Sequence, residues 1–201
     1  MDLGYSRYDN FWQWEKRAKI YVYRDRDEFL KATGAQEWST GFANYSKREI
    51  ISYAHNPKFL ERLLPHELTH LIFRDFVGFK GEVPVWLDEG VAQWEEEDKR
   101  KMAVALLKGY ISTSQIIPLS RLTQMNIAQE SNAEVSRKFY VEAVTLVGFL
   151  IEKYGESKFT LFCRQLRDGA NINEAISFTY SDSIQDMGEL EKEWIKYYGG
   201  G

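Results

Sequence analysis

The pattern of hydrophobic and polar positions changes once along this chain, near residue 56. Before that point, short runs rich in β-branched and aromatic residues predict strands at 19–23, 41–43 and 49–53. After it, apolar residues recur at steps of three and four, which is typical of amphipathic helices. Strands followed by helices indicate an α+β fold. We therefore expect a small, mainly antiparallel N-terminal sheet packed on a helical C-terminal part.

The predicted helices have recognisable ends. Gly34 is expected to stop a short helix that begins at Asp25. Pro65 lacks a backbone N–H, so we expect it to begin or kink the helix that follows, and Pro84 opens another. Further helices are predicted at 99–108, 134–154, 156–166, 173–178 and 184–197.

Composition narrows the classes of protein that fit the chain. It has 201 residues, 44% of them hydrophobic, which suits a single domain over 1–201, sheet-rich at about 19–55 and helical at about 56–198. The net charge of −4 provides no electrostatic footprint for nucleic acid. The longest apolar run, Ala143–Ile151, is too short to span a bilayer. We expect a soluble chain with no nucleic-acid partner and no membrane span.

Candidate chemistry is concentrated in the run His66-Glu67-Leu68-Thr69-His70. Its two histidines lie on one face of a helix, one turn apart, where both imidazoles can hold one metal ion. Glu89 follows after eighteen intervening residues and can supply a third ligand. Three protein ligands leave one position of a zinc ion open, as catalytic sites require. Glu67 lies beside the first histidine and can take a proton from water, so the motif indicates a zinc hydrolase with one ion per chain.

Several of these residues also have a purely structural interpretation. A surface helix can carry two histidines by chance, with Glu89 as a solvated charge. The third histidine, His55, has no partner at ligand spacing, and we expect it in a loop. Cys163 lies in an apolar helical stretch and is expected to be a buried, unreactive thiol. The acidic run Glu95–Asp98 needs no function beyond that of a solvated helix end.

The motif, its spacing to Glu89 and the surrounding run Trp86-Leu87-Asp88-Glu89-Gly90 resemble the gluzincin metallopeptidases. The similarity is to the short peptidase MA-like domains, which are related to the aminopeptidase N catalytic core and, more distantly, to thermolysin. It covers roughly residues 19–198. The resemblance implies a zincin-like fold and hydrolysis of peptide bonds by a metal-activated water, with the histidines and Glu89 as ligands and Glu67 as the base.

The resemblance also implies how a substrate binds. In this family a peptide pairs with an edge strand over the metal-bearing helix, and candidate edge strands lie near 41–44 and 49–53. Aminopeptidase N-type enzymes carry a Gly-x-Met-Glu-Asn segment whose glutamate anchors the substrate amine, but the nearest match, Gly41–Asn44, has no glutamate. An endopeptidase is therefore favoured over an aminopeptidase. Gln93 stands where thermolysin-like enzymes place a carboxylate, which predicts a different hydrogen-bonding shell around the ligands.

One further catalytic residue follows from the resemblance, a tyrosine on the long helix after the metal site. Tyr140 is the best match, and in that role it would stabilise the oxyanion. The alternative is a core or interface aromatic on a helical stripe with Val144 and Val147.

Two functions stay open at this point. The first is an active zinc metallopeptidase acting on peptide or protein substrates. The second is a non-catalytic or latent module that keeps the fold and binds peptides or protein partners; the retention of Glu67 counts against it, because a binding module needs no base. A structural zinc ion is a further alternative.

The localisation of the chain is not fixed by its sequence. Residues 1–5 show no signal-peptide pattern. Domains related to the resembled family often follow signal or anchor segments, and this resemblance slightly favours an exported bacterial domain.

Overall fold

Three short strands form one sheet in the N-terminal part of the chain. The computed structural model describes residues 17–37, 39–78, 83–94 and 96–200. Strands β1 (Lys19–Tyr23), β2 (Gly41–Asn44) and β3 (Glu49–Tyr53) lie in the order β1-β3-β2. All three were predicted from the sequence, and the α+β class is confirmed.

The direction of pairing differs from the expectation of a mainly antiparallel sheet. β2 and β3 form an antiparallel ladder, with Gly41 opposite Ser52. β1 and β3 pair in parallel, with Lys19 opposite Glu49. The helix and strand between β1 and β3 provide a crossover long enough for two parallel neighbours, so the sheet is mixed. β3 is therefore the central strand, and of the two candidate edge strands only β2 lies at an edge.

A short helix covers the sheet with an aromatic side chain. α1 (Arg26–Thr33) begins where the Asp25 side chain accepts a hydrogen bond from the Glu28 N–H, and it ends at Gly34, whose φ of +66° is left-handed. Phe29 of this helix is fully buried. Its ring contacts the rings of Tyr23, Phe42 and Tyr53, which come from the three strands.

The histidine motif lies on the helix that follows the sheet. A π-helical turn at Phe59–Leu63 leads directly into α2 (Leu64–Val77), so Pro65 is the second residue of α2, as its missing N–H predicted. Side chains that α2 buries include those of Leu71, Phe73, Phe76 and Val77.

Glycine is required at the start of β2. Gly41 has a φ of +154°, and a Cβ there would lie 2.7 Å from the Ile51 carbonyl oxygen of the neighbouring strand β3.

The rest of the described chain is helical. Its longest helix, α6, is buried continuously from Val141 to Leu150, and the Asn132 side chain caps its first turn. Each helix that the sequence predicts in this part of the chain is present, and the observed ends differ from the predicted ends by up to four residues. The helices are α3 (Val85–Trp94), α4 (Glu97–Ser112), α5 (Leu119–Leu122), α6 (Ala133–Tyr154), α7 (Glu156–Arg167), α8 (Ile172–Thr179) and α9 (Met187–Gly199), with a 3₁₀ turn at Ile127–Gln129.

The chain divides into two compact units, Met1–Phe76 and Val77–Gly201. The first contains the sheet, α1 and nearly all of α2, and the second contains α3 to α9. The single domain expected over 1–201 stays a prediction. Within the described parts of the chain, no helix combines the length and apolar character needed to cross a membrane.

Candidate metal centre

The two motif histidines come together on one face of α2. Their Nε2 atoms lie 3.2 Å apart. The ring centroids are 4.7 Å apart, and the ring planes are nearly perpendicular, at 86°. His70 is buried and His66 is half-buried. The helical spacing of four residues thus places the two nitrogens side by side, as the sequence predicted.

The donor atoms of this pair suit a zinc ion. Zn–N bonds of about 2.0–2.1 Å at a tetrahedral angle place two nitrogen ligands about 3.3 Å apart. The observed separation of 3.2 Å is close to that value. An N–H···N hydrogen bond between the two rings has a similar length. The separation therefore suits both a hydrogen bond and two ligands of one metal ion.

Glu67 immediately follows His66 on α2 and is half-buried. Consecutive helical residues point about 100° apart, so Glu67 projects beside the histidine face rather than from it. This is the position that the motif requires of a base next to a ligand.

Glu89 lies in the second unit, on α3. Its neighbours Trp86, Leu87, Asp88 and Gly90 are all buried, whereas Glu89 is only half-buried. A helix this apolar is held by its core contacts. Glu89 is therefore a partly accessible carboxylate on a rigid element, which is what a ligand or substrate contact needs.

Tyr140 of α6 lies within electrostatic reach of Glu89. Burial first, and the charge of Glu89 second, raise the pKa of Tyr140 to about 12. The second unit therefore brings together two residues that the sequence and the resemblance selected separately. This proximity was not derivable from spacing alone, since α3 and α6 are far apart in the chain.

Comparison with known protein families identifies the superfamily of this chain. A family model described as the Peptidase MA superfamily matches residues 9–199. The chain belongs to the Peptidase MA superfamily. The family inferred from the motif is thereby confirmed, and so is a peptidase-like domain. Superfamily members are typically metal-dependent, and the paired imidazoles of α2 are consistent with that chemistry.

One curated relative is similar to part of the chain. The uncharacterized protein YhcO of Bacillus subtilis strain 168 is 23% identical over 142 residues, which cover 69% of this chain and 41% of the relative. The chain thus spans less than half of that relative's length. No solved structure matches the chain.

Other residues considered from the sequence occupy ordinary positions. His55 is exposed, with a left-handed φ of +62°, in the loop after β3. Cys163 is fully buried, as expected, and burial raises the pKa of its thiol, which disfavours the reactive thiolate. Gln93 is buried on α3. Of the acidic run, Glu97 forms a 2.7 Å ion pair with Lys101 on the surface, while Glu95 lies outside the described residues.

Sequence reasoning missed an aromatic residue that contacts a motif histidine. The Tyr45 ring meets the His70 ring edge-on, at 83° and 6.2 Å between centroids. Tyr45 immediately follows β2, in the turn that leads to β3. No motif or period marks a tyrosine in a hairpin turn, so only the folded hairpin reveals this contact.

Gly90 allows α3 and α6 to approach closely. A Cβ at Gly90 would lie 2.5 Å from the Ala143 carbonyl oxygen and 2.7 Å from Val147 Cγ2. Because backbone atoms form this contact, the helices must separate to accept a side chain. We expect Gly90→Ala to lower the free energy of unfolding by about 2 kcal/mol, as measured by urea denaturation.

The matched control is Gly109→Ala on α4, where a Cβ meets nothing within 4 Å. Removing a helical glycine there should leave stability unchanged or raise it by up to about 1 kcal/mol. Equal stabilities for the two variants would show that the close approach of α3 and α6 does not need glycine.

Proposed function

We propose that this chain is a zinc-dependent metallopeptidase that hydrolyses internal peptide bonds. The observation that carries the proposal is the 3.2 Å approach of the His66 and His70 Nε2 atoms on one helix face. Membership of the Peptidase MA superfamily supports it. The family match runs over residues 9–199 and so covers most of both units, which supports treating the chain as one metallopeptidase domain.

The proposed ligands of a single ion are His66, His70 and Glu89, the three residues that the motif and its spacing select. Two imidazoles and one carboxylate form a set that zinc favours. When bound, zinc polarises the scissile carbonyl and makes a water easier to deprotonate. The helix backbone of α2 orients two of these ligands before any metal arrives.

Glu67 is the proposed general base and acid. It takes a proton from the attacking water while the water oxygen bonds to the carbonyl carbon. The carbon–nitrogen bond then breaks, and Glu67 delivers that proton to the leaving amine. Water is consumed, a carboxylic acid and an amine are produced, and no other reactant is needed.

Tyr140 is the proposed donor to the oxyanion. Its proximity to Glu89 supports this role. We expect Tyr140→Phe to lower kcat about 100-fold with little change in KM, because the hydroxyl acts mainly on the charge that develops during the reaction. Steady-state kinetics on a cleaved peptide would measure this. Tyr110→Phe is the control, since Tyr110 contacts Lys138 through its ring; equal losses in both variants would exclude a specific role for Tyr140.

Internal cleavage is favoured because the chain lacks a glutamate in the Gly41–Asn44 segment to anchor a substrate amine. This segment is β2, an edge strand of the sheet. An unpaired strand edge can accept an extended peptide by main-chain hydrogen bonds along its length. Such binding does not require a free terminus, which suits an endopeptidase.

The deciding experiment maps cleavage of a diverse peptide library by mass spectrometry. The protein would be tested zinc-loaded, after chelation and after zinc is restored. Internal cuts that vanish on chelation and return with zinc would support the proposal, whereas trimming from one end would assign an exopeptidase. The absence of cuts with one zinc ion bound per chain would favour a latent enzyme or a peptide-binding module, the second candidate function for this fold.

A further inference from the structure

The turn between β2 and β3 is attached to α2 at two points. Asn44 organises the turn, because its Oδ1 accepts hydrogen bonds from the Ser46 hydroxyl and the Lys47 N–H, at 2.9 and 3.2 Å. Arg48 has a left-handed φ of +55° and forms an ion pair with Asp75 of α2. The second point of attachment is the ring of Tyr45.

Tyr45 contacts two residues of α2 that are one turn apart. Its ring meets His70 edge-on at 6.2 Å. The Arg74 guanidinium lies 5.8 Å from the centroid of the same ring, within the range of a cation–π contact. His70 and Arg74 are four residues apart and share a helix face, so one aromatic ring reaches both.

The His70 ring is thereby held on two sides, by His66 at 4.7 Å and by Tyr45 at 6.2 Å. Groups around a metal-ligating histidine fix the orientation of its ring, and their loss lowers metal affinity. We propose that Tyr45 is a positioning residue that holds the His70 imidazole in its metal-binding rotamer. This inference rests on the proposed metal site.

The proposal predicts that metal affinity depends on the Tyr45 ring. Tyr45→Ala should weaken zinc binding about 10-fold, because the loss of a group that orients a ligand typically costs 10- to 100-fold in affinity. Tyr45→Phe keeps the ring and should bind zinc within about threefold of the wild type. Zinc affinity would be measured by competition with a chromophoric chelator. The visible spectrum of the Co²⁺-loaded protein would report the ligand geometry, and it should change in Tyr45→Ala only.

Tyr21→Ala is the matched control. Tyr21 belongs to the same unit, on β1, and is 46% exposed compared with 38% for Tyr45. It should leave both zinc affinity and the cobalt spectrum unchanged. Thermal unfolding of the metal-free variants would identify any general loss of fold. If Tyr45→Ala unfolds, a folded Tyr45→Phe variant that has lost zinc affinity would still overturn the inference, because this variant keeps the ring.

The outcomes separate this inference from the proposed function. A wild type that binds no zinc would overturn the proposed function. A wild type that binds one ion, with Tyr45→Ala equal to it, would overturn the positioning role alone. Equal weakening in Tyr45→Ala and Tyr21→Ala, or a Tyr45→Phe variant as weak as Tyr45→Ala, would also overturn it, since neither result depends on the ring contact with His70.

Discussion

Glu67→Gln is expected to lower the rate of peptide hydrolysis by about 10²- to 10⁴-fold, the usual contribution of a general base. The amide has nearly the same size and cannot take a proton from water. Glu67 follows His66 directly on α2 but is not one of the proposed ligands, so zinc should stay bound at one ion per chain. Rate and zinc content, measured on the same preparation, test both statements.

A nearby carboxylate provides the control. Glu61 lies in the π-helical turn just before α2 and is exposed. Glu61→Gln should hydrolyse peptides at the wild-type rate, because only the carboxylate beside the metal ligands acts in the reaction. Glu67→Gln with wild-type activity and the same cut sites would remove Glu67 from the mechanism. Loss of zinc in that variant would instead give Glu67 a part in metal binding.

The local features of this molecule were predictable from sequence. The ends of α1 follow from Asp25 and Gly34, and the start of α2 follows from Pro65, because each acts on its immediate neighbours. The approach of His66 to His70 follows from helical geometry alone. Such features depend on residues within one or two turns, and short-range rules describe them well.

Features that join distant segments were not predictable. The parallel pairing of β1 with β3 depends on the path of the intervening chain rather than on either strand. The contact of Tyr45 with His70 depends on where a hairpin turn lies against α2. Gly90 looked like part of a motif, but its closeness to Ala143 appears only once α3 packs on α6. Each of these results from tertiary packing, for which a single sequence carries no direct signal.

Glu142 is another residue whose environment only the fold reveals. It lies on α6 with its side chain fully buried. Its Oε1 accepts a 2.9 Å hydrogen bond from the Ile117 N–H, while no group among the described residues hydrogen-bonds to its Oε2. Burial raises the pKa of Glu142 to about 8, helped by the charge of Glu191 and opposed by the Ile117 N–H and Lys138.

This raised pKa makes stability depend on pH in a definite direction. Below pH 4.5 the Glu142 carboxyl is protonated in both the folded and the unfolded chain, so it favours neither. Between pH 4.5 and about 8 the unfolded chain releases the proton while the folded chain keeps it, so the free energy of unfolding falls as pH rises. Each pH unit costs about 1.4 kcal/mol, which sets a ceiling of roughly 5 kcal/mol for the whole interval.

Glu142→Gln should abolish this loss of stability. The glutamine carbonyl oxygen can still accept from the Ile117 N–H, and the side chain carries no charge at any pH. We therefore expect the variant to be no more stable than the wild type near pH 4.5 and more stable by several kcal/mol near pH 8. Urea denaturation across this range would measure the difference. Glu134→Gln, at an exposed position of the same helix, is the control, and its free energy of unfolding should change with pH as that of the wild type does. If the curve of Glu142→Gln also ran parallel to that of the wild type, the buried carboxyl would not keep its proton in the folded chain.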